Sequence, residues 1–344
     1  MSRTALAAPP PVPVASSVPA ASAAPAAAGS VRLGGGLGPP PPTQLVRRDH
    51  RSGGGNWLTP YLLIAPFVLI FCTFTLYPLT QSVRLSFQET FGPKSTVFVG
   101  TRNYRFLLHD PLFWLAVRNT AVFAAASIFI QLPLSLGLAM LLNRPNLRGR
   151  TIFRLIFFSP SLVGLVFVAV VALLAFDKHT GLVDVSLHRM FGFNQDFPWL
   201  DSYVMLALVL TALWVYVGFN MVYFLAALQN VSRDLVEAAM VDGATAWHRF
   251  WHVTIPAIKP VASFVVLLSL IGSFQLFELP YVLLNFTGGP DNQGLTVVMY
   301  LYLIGFQTGD LGYASAIGWL LAIMLALFAL LHTWLGRHDE AEAQ

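Results

Sequence analysis

Glu237-Ala238-Ala239-Met240-Val241-Asp242-Gly243-Ala244 is followed at short distance by Trp247 and by Ile255-Pro256-Ala257-Ile258-Lys259-Pro260. The stretch is polar and partly helical in pattern, and it separates two long apolar runs. Asp234 and Glu237 have the spacing of a capping box with Asp in the capping position, which opens a short helix. Two acids in a first turn also complement the helix dipole. Leu235, Ala238 and Ala239 give that helix a face of small and apolar side chains, which lets another surface approach closely. Gly243 has no Cβ and can end the helix in a left-handed conformation. A second short helix is expected after Thr245 as its cap, with Trp247, Phe250 and Trp251 on one face at i, i+3, i+4 spacing. Pro256 then fixes the chain before the next apolar run.

Composition sets the surroundings of this stretch. The chain has 344 residues and a mean hydropathy of +0.66; 56% of its residues are hydrophobic and 10% are charged. A soluble domain carries roughly 25% charge. Too little polar surface is available to cover a water-soluble fold, so the class is an all-α integral membrane protein. The net charge of +4 does not point to nucleic acid, because basic residues of membrane proteins gather in cytoplasmic loops. Cys72 is the single cysteine and lies in an apolar run, which excludes an internal disulfide or a cysteine metal site.

A spanning helix needs about 20 mostly apolar residues. Six stretches qualify: Trp57–Tyr77, Thr120–Leu142, Leu155–Phe176, Tyr203–Leu228, Val261–Leu284 and Leu311–Leu335. The piece Val297–Phe306 is too short to span and reads as interfacial or re-entrant. With both termini inside, the inner parts hold 13 of the 20 Lys and Arg residues, which places the Glu237 loop in the cytoplasm. Residues 1–50 form an Ala/Pro/Gly-rich tail whose composition predicts disorder. Residues 51–338 form the six-span unit with its loop at 231–260, and residues 339–344 form a short acidic tail.

The chain contains no P-loop. Such a loop needs Gly-x-x-x-x-Gly-Lys followed by Ser or Thr, and Lys94, Lys178 and Lys259 follow Pro93, Asp177 and Ile258. No Ser/His/Asp arrangement stands out either, so the chain is not an enzyme by itself. His248 and His252 are four apart on a helix, but Arg249 stands where a zincin needs Glu, so no metal site is expected.

Polar groups inside spans are costly and usually face a cavity or a pathway. Ser273, Gln275 and Glu278, then Tyr281 and Asn285, mark the fifth span, with Gln275 and Glu278 three apart on one helix face. Asn220 lies beside Gly218 in the fourth. These residues either line a path for a polar solute or satisfy one another between packed helices.

The loop resembles the EAA loop of the membrane-spanning subunits of bacterial ABC importers. The form with Asp-Gly-Ala and a downstream Trp looks like the carbohydrate branch, the maltose and glycerol-phosphate permease type. Leu76-Tyr77-Pro78, Asn103-Tyr104, Asp110-Pro111, Gly288-Gly289-Pro290 and Gly312-Tyr313-Ala314 match that family as well, and the likeness covers about residues 57–335. From spacing alone the loop is either a knob for a cleft in a partner or an amphipathic segment on the membrane surface. The resemblance implies the first. By it, Glu237 pairs with a basic group of an ATPase, and Ala238, Ala239, Asp242, Gly243, Ala244, Trp247 and Pro256 shape the coupling element. It further implies six spans of the type I importer kind in a bacterial cytoplasmic membrane. A second permease subunit, two ATPase subunits that hold ATP and Mg, and an external binding protein for a sugar or polyol-phosphate would complete the assembly. By the same resemblance the corresponding region of the fifth span lines the sugar site, so Gln275, Glu278 and Tyr281, joined by Asn220 of the fourth span, are expected on the substrate path. Two other classes remain open at this point, a proton-coupled carrier using Glu278 and a non-transporting membrane scaffold.

Overall fold

The computed structural model describes residues 58–90, 95–144, 146–192 and 196–342. The tail at 1–50, the basic cluster Arg47, Arg48 and Arg51, Trp57 and residues 343–344 of the acidic end lie outside the described residues. In chain order, α1 (Pro60–Ser86) leads into an antiparallel hairpin of β1 (Gln88–Thr90) and β2 (Thr96–Phe98), in which Gln88 faces Phe98. Next come α2 (Arg102–His109) and α3 (Pro111–Leu142), then the pair α4 (Arg150–Leu162) and α5 (Leu165–Ala175). A short α6 (Leu182–Phe191) precedes the long α7 (Val204–Gln229). The loop stretch forms α8 (Arg233–Val241), and α9 (Ala246–Phe274), α10 (Glu278–Leu283), α11 (Val297–Thr308) and α12 (Leu311–Glu342) complete the chain.

Among the described residues, α1, α3, α7, α9 and the Leu311–Trp334 part of α12 are each long and apolar enough to cross a bilayer, and α4 with α5 makes a sixth if counted as one span. The architecture is that of an all-α membrane-spanning protein. Helices suit such an interior because every backbone N–H and C=O is paired within the segment. Lipid is as apolar as leucine, so close packing rather than water exclusion holds the helices together. Packing is tightest where small residues permit it: a Cβ on Gly218 of α7 would lie 1.7 Å from the Phe157 carbonyl oxygen of α4.

Prolines decide how these helices run. Three helices widen into a π-turn just ahead of an internal proline: Cys72–Leu76 before Pro78, Ser127–Gln131 before Pro133, and Phe250–Thr254 before Pro256. A proline has no N–H, and its ring presses on the carbonyl four residues back. The extra residue in the turn makes room, and the helix continues.

Two other prolines break their spans, and both breaks correct the reading from sequence. The third span is not the single helix expected at Leu155–Phe176: α4 and α5 meet at 99°. Pro160 removes the backbone donor that Ile156 would use, and the Ser159 hydroxyl donates to the Ile156 carbonyl at 3.0 Å instead. The fifth span does not run Val261–Leu284. It starts earlier, at Ala246, and stops at Phe274, and the chain is non-helical at Phe277 (φ −136°, ψ −57°) before α10 begins. Here Pro280 frees the Leu276 carbonyl, which accepts from the buried Thr296 hydroxyl at 2.7 Å.

The segment at 290–302 is pinned to α3 by buried polar groups. The Asn119 amide donates to the Asn292 and Leu295 carbonyls at 2.9 and 3.1 Å, and the Val297 N–H donates to the Thr120 hydroxyl at 3.1 Å. Asp110 caps α3 by accepting from the Leu112 N–H at 2.9 Å, and it also accepts from the phenols of Tyr300 and Tyr313. The helix expected at Thr120 therefore begins at Pro111, where a capping Asp followed by Pro is a helix-start signal.

Candidate functional site

Two places carry the residues singled out from sequence: the loop around α8 and the break after α9. The loop follows the expected outline with two changes. Ser232, not Asp234, precedes the first helical residue, and Asp234 sits inside the first turn with Glu237 one turn on. At the other end the geometry is a Schellman motif. Gly243 has φ +79°, its N–H donates to the Met240 carbonyl at 3.1 Å, and the Ala244 N–H donates to the Ala239 carbonyl at 2.9 Å. Asp242 is the last half-helical residue. The left-handed backbone at Gly243 is what turns the chain back.

The second change concerns Thr245. Its hydroxyl accepts from the His248 N–H at 3.2 Å, as expected for a cap. The helix it opens is not a separate short one, however, but α9 itself, continuous from Ala246 through Phe274. Pro256 lies within α9 rather than ahead of it, and the π-turn at Phe250–Thr254 accommodates its ring. The Arg249 guanidinium donates to the Ala244 carbonyl at 2.9 Å and ties the turn to the new helix.

Trp247, Phe250 and Trp251 share a face, with ring centroids 5.2–6.0 Å apart. Trp247 is 71% exposed and Val241 88% exposed, and Leu235 and Met240 are exposed as well. Glu237 and Met240 also border a cavity of about 860 Å³ between α8 and the ends of α3, α4 and α7, with Arg150 and Arg233 on its wall. His248 and His252 stack at 3.9 Å apart from the aromatic face. The loop thus offers apolar and aromatic side chains in a polar setting. Such a surface suits contact either with a protein partner or with the membrane surface.

The second place is the break after α9. Gln275 and Glu278 do not share a helix face, because the break at 275–277 separates them. They still come together on one cavity of about 390 Å³, with Leu165, Tyr216 and Phe277 on the other walls. Leu165 is the first residue of α5, so this cavity lies where the two broken spans meet. Non-helical backbone at membrane depth is tolerated where it is buried in protein or lines a cavity. Asn220 borders a neighbouring cavity of about 170 Å³ with Ser127, Gln131 and Ser273, and Tyr216, Gly272 and Leu276 are shared between the two. Tyr281 is on neither wall. It stacks behind Phe277 at 4.9 Å and meets Tyr302 at 5.1 Å.

Sequence reasoning missed Tyr216, Ser127 and Gln131. Each is flanked in sequence by apolar residues. A helical wheel of α7 puts Tyr216 one turn from Asn220, which was a usable signal.

Comparison with known proteins places the chain. Residues 131–340 match the family model described as binding-protein-dependent transport system inner membrane component. The arabinooligosaccharides transport system permease protein AraP of Bacillus subtilis is 38% identical over 275 residues, covering 79% of this chain and 86% of that protein. The lactose transport system permease protein LacF of Rhizobium radiobacter is 35% identical over 280 residues, covering 80% of this chain and 93% of its own length. Among solved structures, a bacterial ABC transporter that imports the acidic polysaccharide alginate shares the fold, with TM-score 0.71 and 23% identity over 81% of this chain and 95% of the other.

Proposed function

This chain belongs to the binding-protein-dependent transport system inner membrane component family, and from that premise we propose how it works: it forms half of a saccharide path and couples that path to ATPase subunits made elsewhere. It is a permease subunit of a multi-pass importer. The relatives named above carry arabinooligosaccharides and lactose, which supports a saccharide cargo.

In this reading the Glu237 loop faces the cytoplasm and both termini lie on the same side. The exposed face of Val241, Trp247 and Trp251 seats in a cleft of an ATPase subunit, and Glu237 pairs with a basic group there. A second permease subunit supplies the other half of the path, and an external binding protein delivers the solute. ATP binding closes the ATPase pair and displaces the loop. Since α9 is continuous from Ala246 to Phe274, the displacement travels along one rigid rod to the break at Gln275–Phe277. There Gln275, Glu278 and Tyr216 offer donors and acceptors, and Phe277 backed by Tyr281 offers an aromatic platform for a sugar ring. The residues of this chain bind and orient the solute, while the chemistry of ATP belongs to the partner.

The observation that carries the proposal is this unbroken helix between an exposed docking face and a polar cavity. The test is transport by the reconstituted assembly. Uptake into proteoliposomes is expected to need ATP on the loop side and binding protein on the other. Uptake that follows a proton gradient and ignores ATP would contradict it and favour Glu278 as a proton carrier.

A further inference from the structure

Charge along the path is one-sided. The smaller cavity is walled by hydroxyls and amides, among them Ser127, Gln131, Asn220 and Ser273, and it has no charged side chain among its lining residues. Its neighbour adds the Gln275 amide and the Glu278 carboxylate, again with no Lys or Arg on the wall. Glu278 is held in place by its own helix. Leu279, Pro280 and Leu283 bury one side of α10, and this leaves Glu278, the exposed residue at its start, on the cavity side. None of the ion pairs among the described residues involves it.

We propose that Glu278 is a charge filter on this path, a specificity-determining residue that admits neutral saccharides and turns away uronates and sugar phosphates. The inference rests on the saccharide path proposed above. Anionic sugars need an arginine fork, an ammonium group or oriented N–H groups to replace the water they give up. These walls supply no Arg and no Lys, and Glu278 adds like-charge repulsion. A neutral sugar meets no such obstacle: hydroxyls and amides both donate and accept, and a carboxylate accepts from sugar hydroxyls in strong charge-assisted bonds.

The test is equilibrium binding to the detergent-solubilised permease–ATPase complex without its binding protein, which has a selectivity of its own. Lactose and arabinotriose serve as neutral probes, and lactose 6-phosphate and trigalacturonate as anionic ones. The wild-type complex is expected to hold the neutral probes at least about tenfold more tightly, a difference of ~1.4 kcal/mol. Glu278→Gln should bring the two classes within about twofold, mainly by tightening the anionic probes, while the neutral probes weaken slightly as they lose the charge-assisted acceptor. If that variant does not assemble, the wild-type salt series decides. The gap should narrow as ionic strength rises from about 0.01 M to about 1 M, where the screening length shrinks from about 30 to about 3 Å. A wild-type complex that holds both classes equally, or a gap untouched by Glu278→Gln or by salt, overturns the filter alone. A complex that binds none of the four probes overturns the saccharide path beneath it.

Discussion

Gly243 shows how much one backbone angle can decide. Its φ of +79° costs a Cβ-bearing residue roughly 1–2 kcal/mol, yet a Cβ there would meet no atom within 4 Å. The requirement is therefore conformational and not steric. Gly243→Asn should keep most of the uptake rate, because Asn tolerates the left-handed region. Gly243→Val should lose it by tenfold or more, on the order of the strain energy, with the protein still inserted. Equal uptake by the two variants would contradict the assignment. Asp177, in the turn after α5, makes a second prediction at this scale. The Thr180 N–H donates to its carboxylate, followed by the Thr180 hydroxyl and the His179 N–H, and these bonds hold its pKa below the usual carboxylate range. A lowered pKa means that the turn gains stability from the ionised form above the ordinary carboxylate value. That gain is lost as pH falls through the lowered value. Amide-exchange protection of His179 and Thr180 should hold near neutral pH and fall away in acid below the ordinary carboxylate range. A protection factor flat across that window would count against it.

Among the elements, the two broken spans matter most, and they were the least legible. Hydropathy sees apolar composition and not continuity, so Leu155–Phe176 and Val261–Leu284 each read as one rod. Signs of the breaks were present as Pro160 with Gly164, and as Pro280, but Pro78, Pro133 and Pro256 lie in helices that continue. What separates the cases is whether the helix can widen ahead of the proline or a neighbour can take the freed carbonyl, and sequence order does not show that neighbour. Thr296, 20 residues from Leu276 in sequence, is the partner in the fifth span. Thr296→Val keeps the side-chain shape and leaves the Leu276 carbonyl unpaired in a buried site, at a cost of about 1–3 kcal/mol. The purified protein should melt at a lower temperature in detergent, and unchanged melting would show that the bond contributes nothing.

At the scale of the whole molecule, the apolar runs and the loop were readable because each has a strong local signature: length, periodicity, a glycine at the helix end and a capping threonine. The cavity was only half readable. Gln275, Glu278 and Asn220 stood out as polar groups in apolar helices, and Tyr216 could be tied from sequence to Asn220 one turn away, but only the fold brings that pair to Gln275 and Glu278. The continuity of α9 was hidden as well, since its first turns are polar, with His248, Arg249 and His252, and read as a separate short helix ahead of Pro256. That continuity is the physical basis of the coupling account, because one helix runs from the proposed docking face to the proposed solute cavity.

The account's central claim is that the loop seats in an ATPase subunit. A photo-crosslinking side chain placed at Val241, the most exposed apolar position of α8, tests it in the purified, transport-active complex. The account predicts an adduct with the nucleotide-binding subunit, identified by mass. Adducts formed only with lipid or with the external binding protein would contradict it.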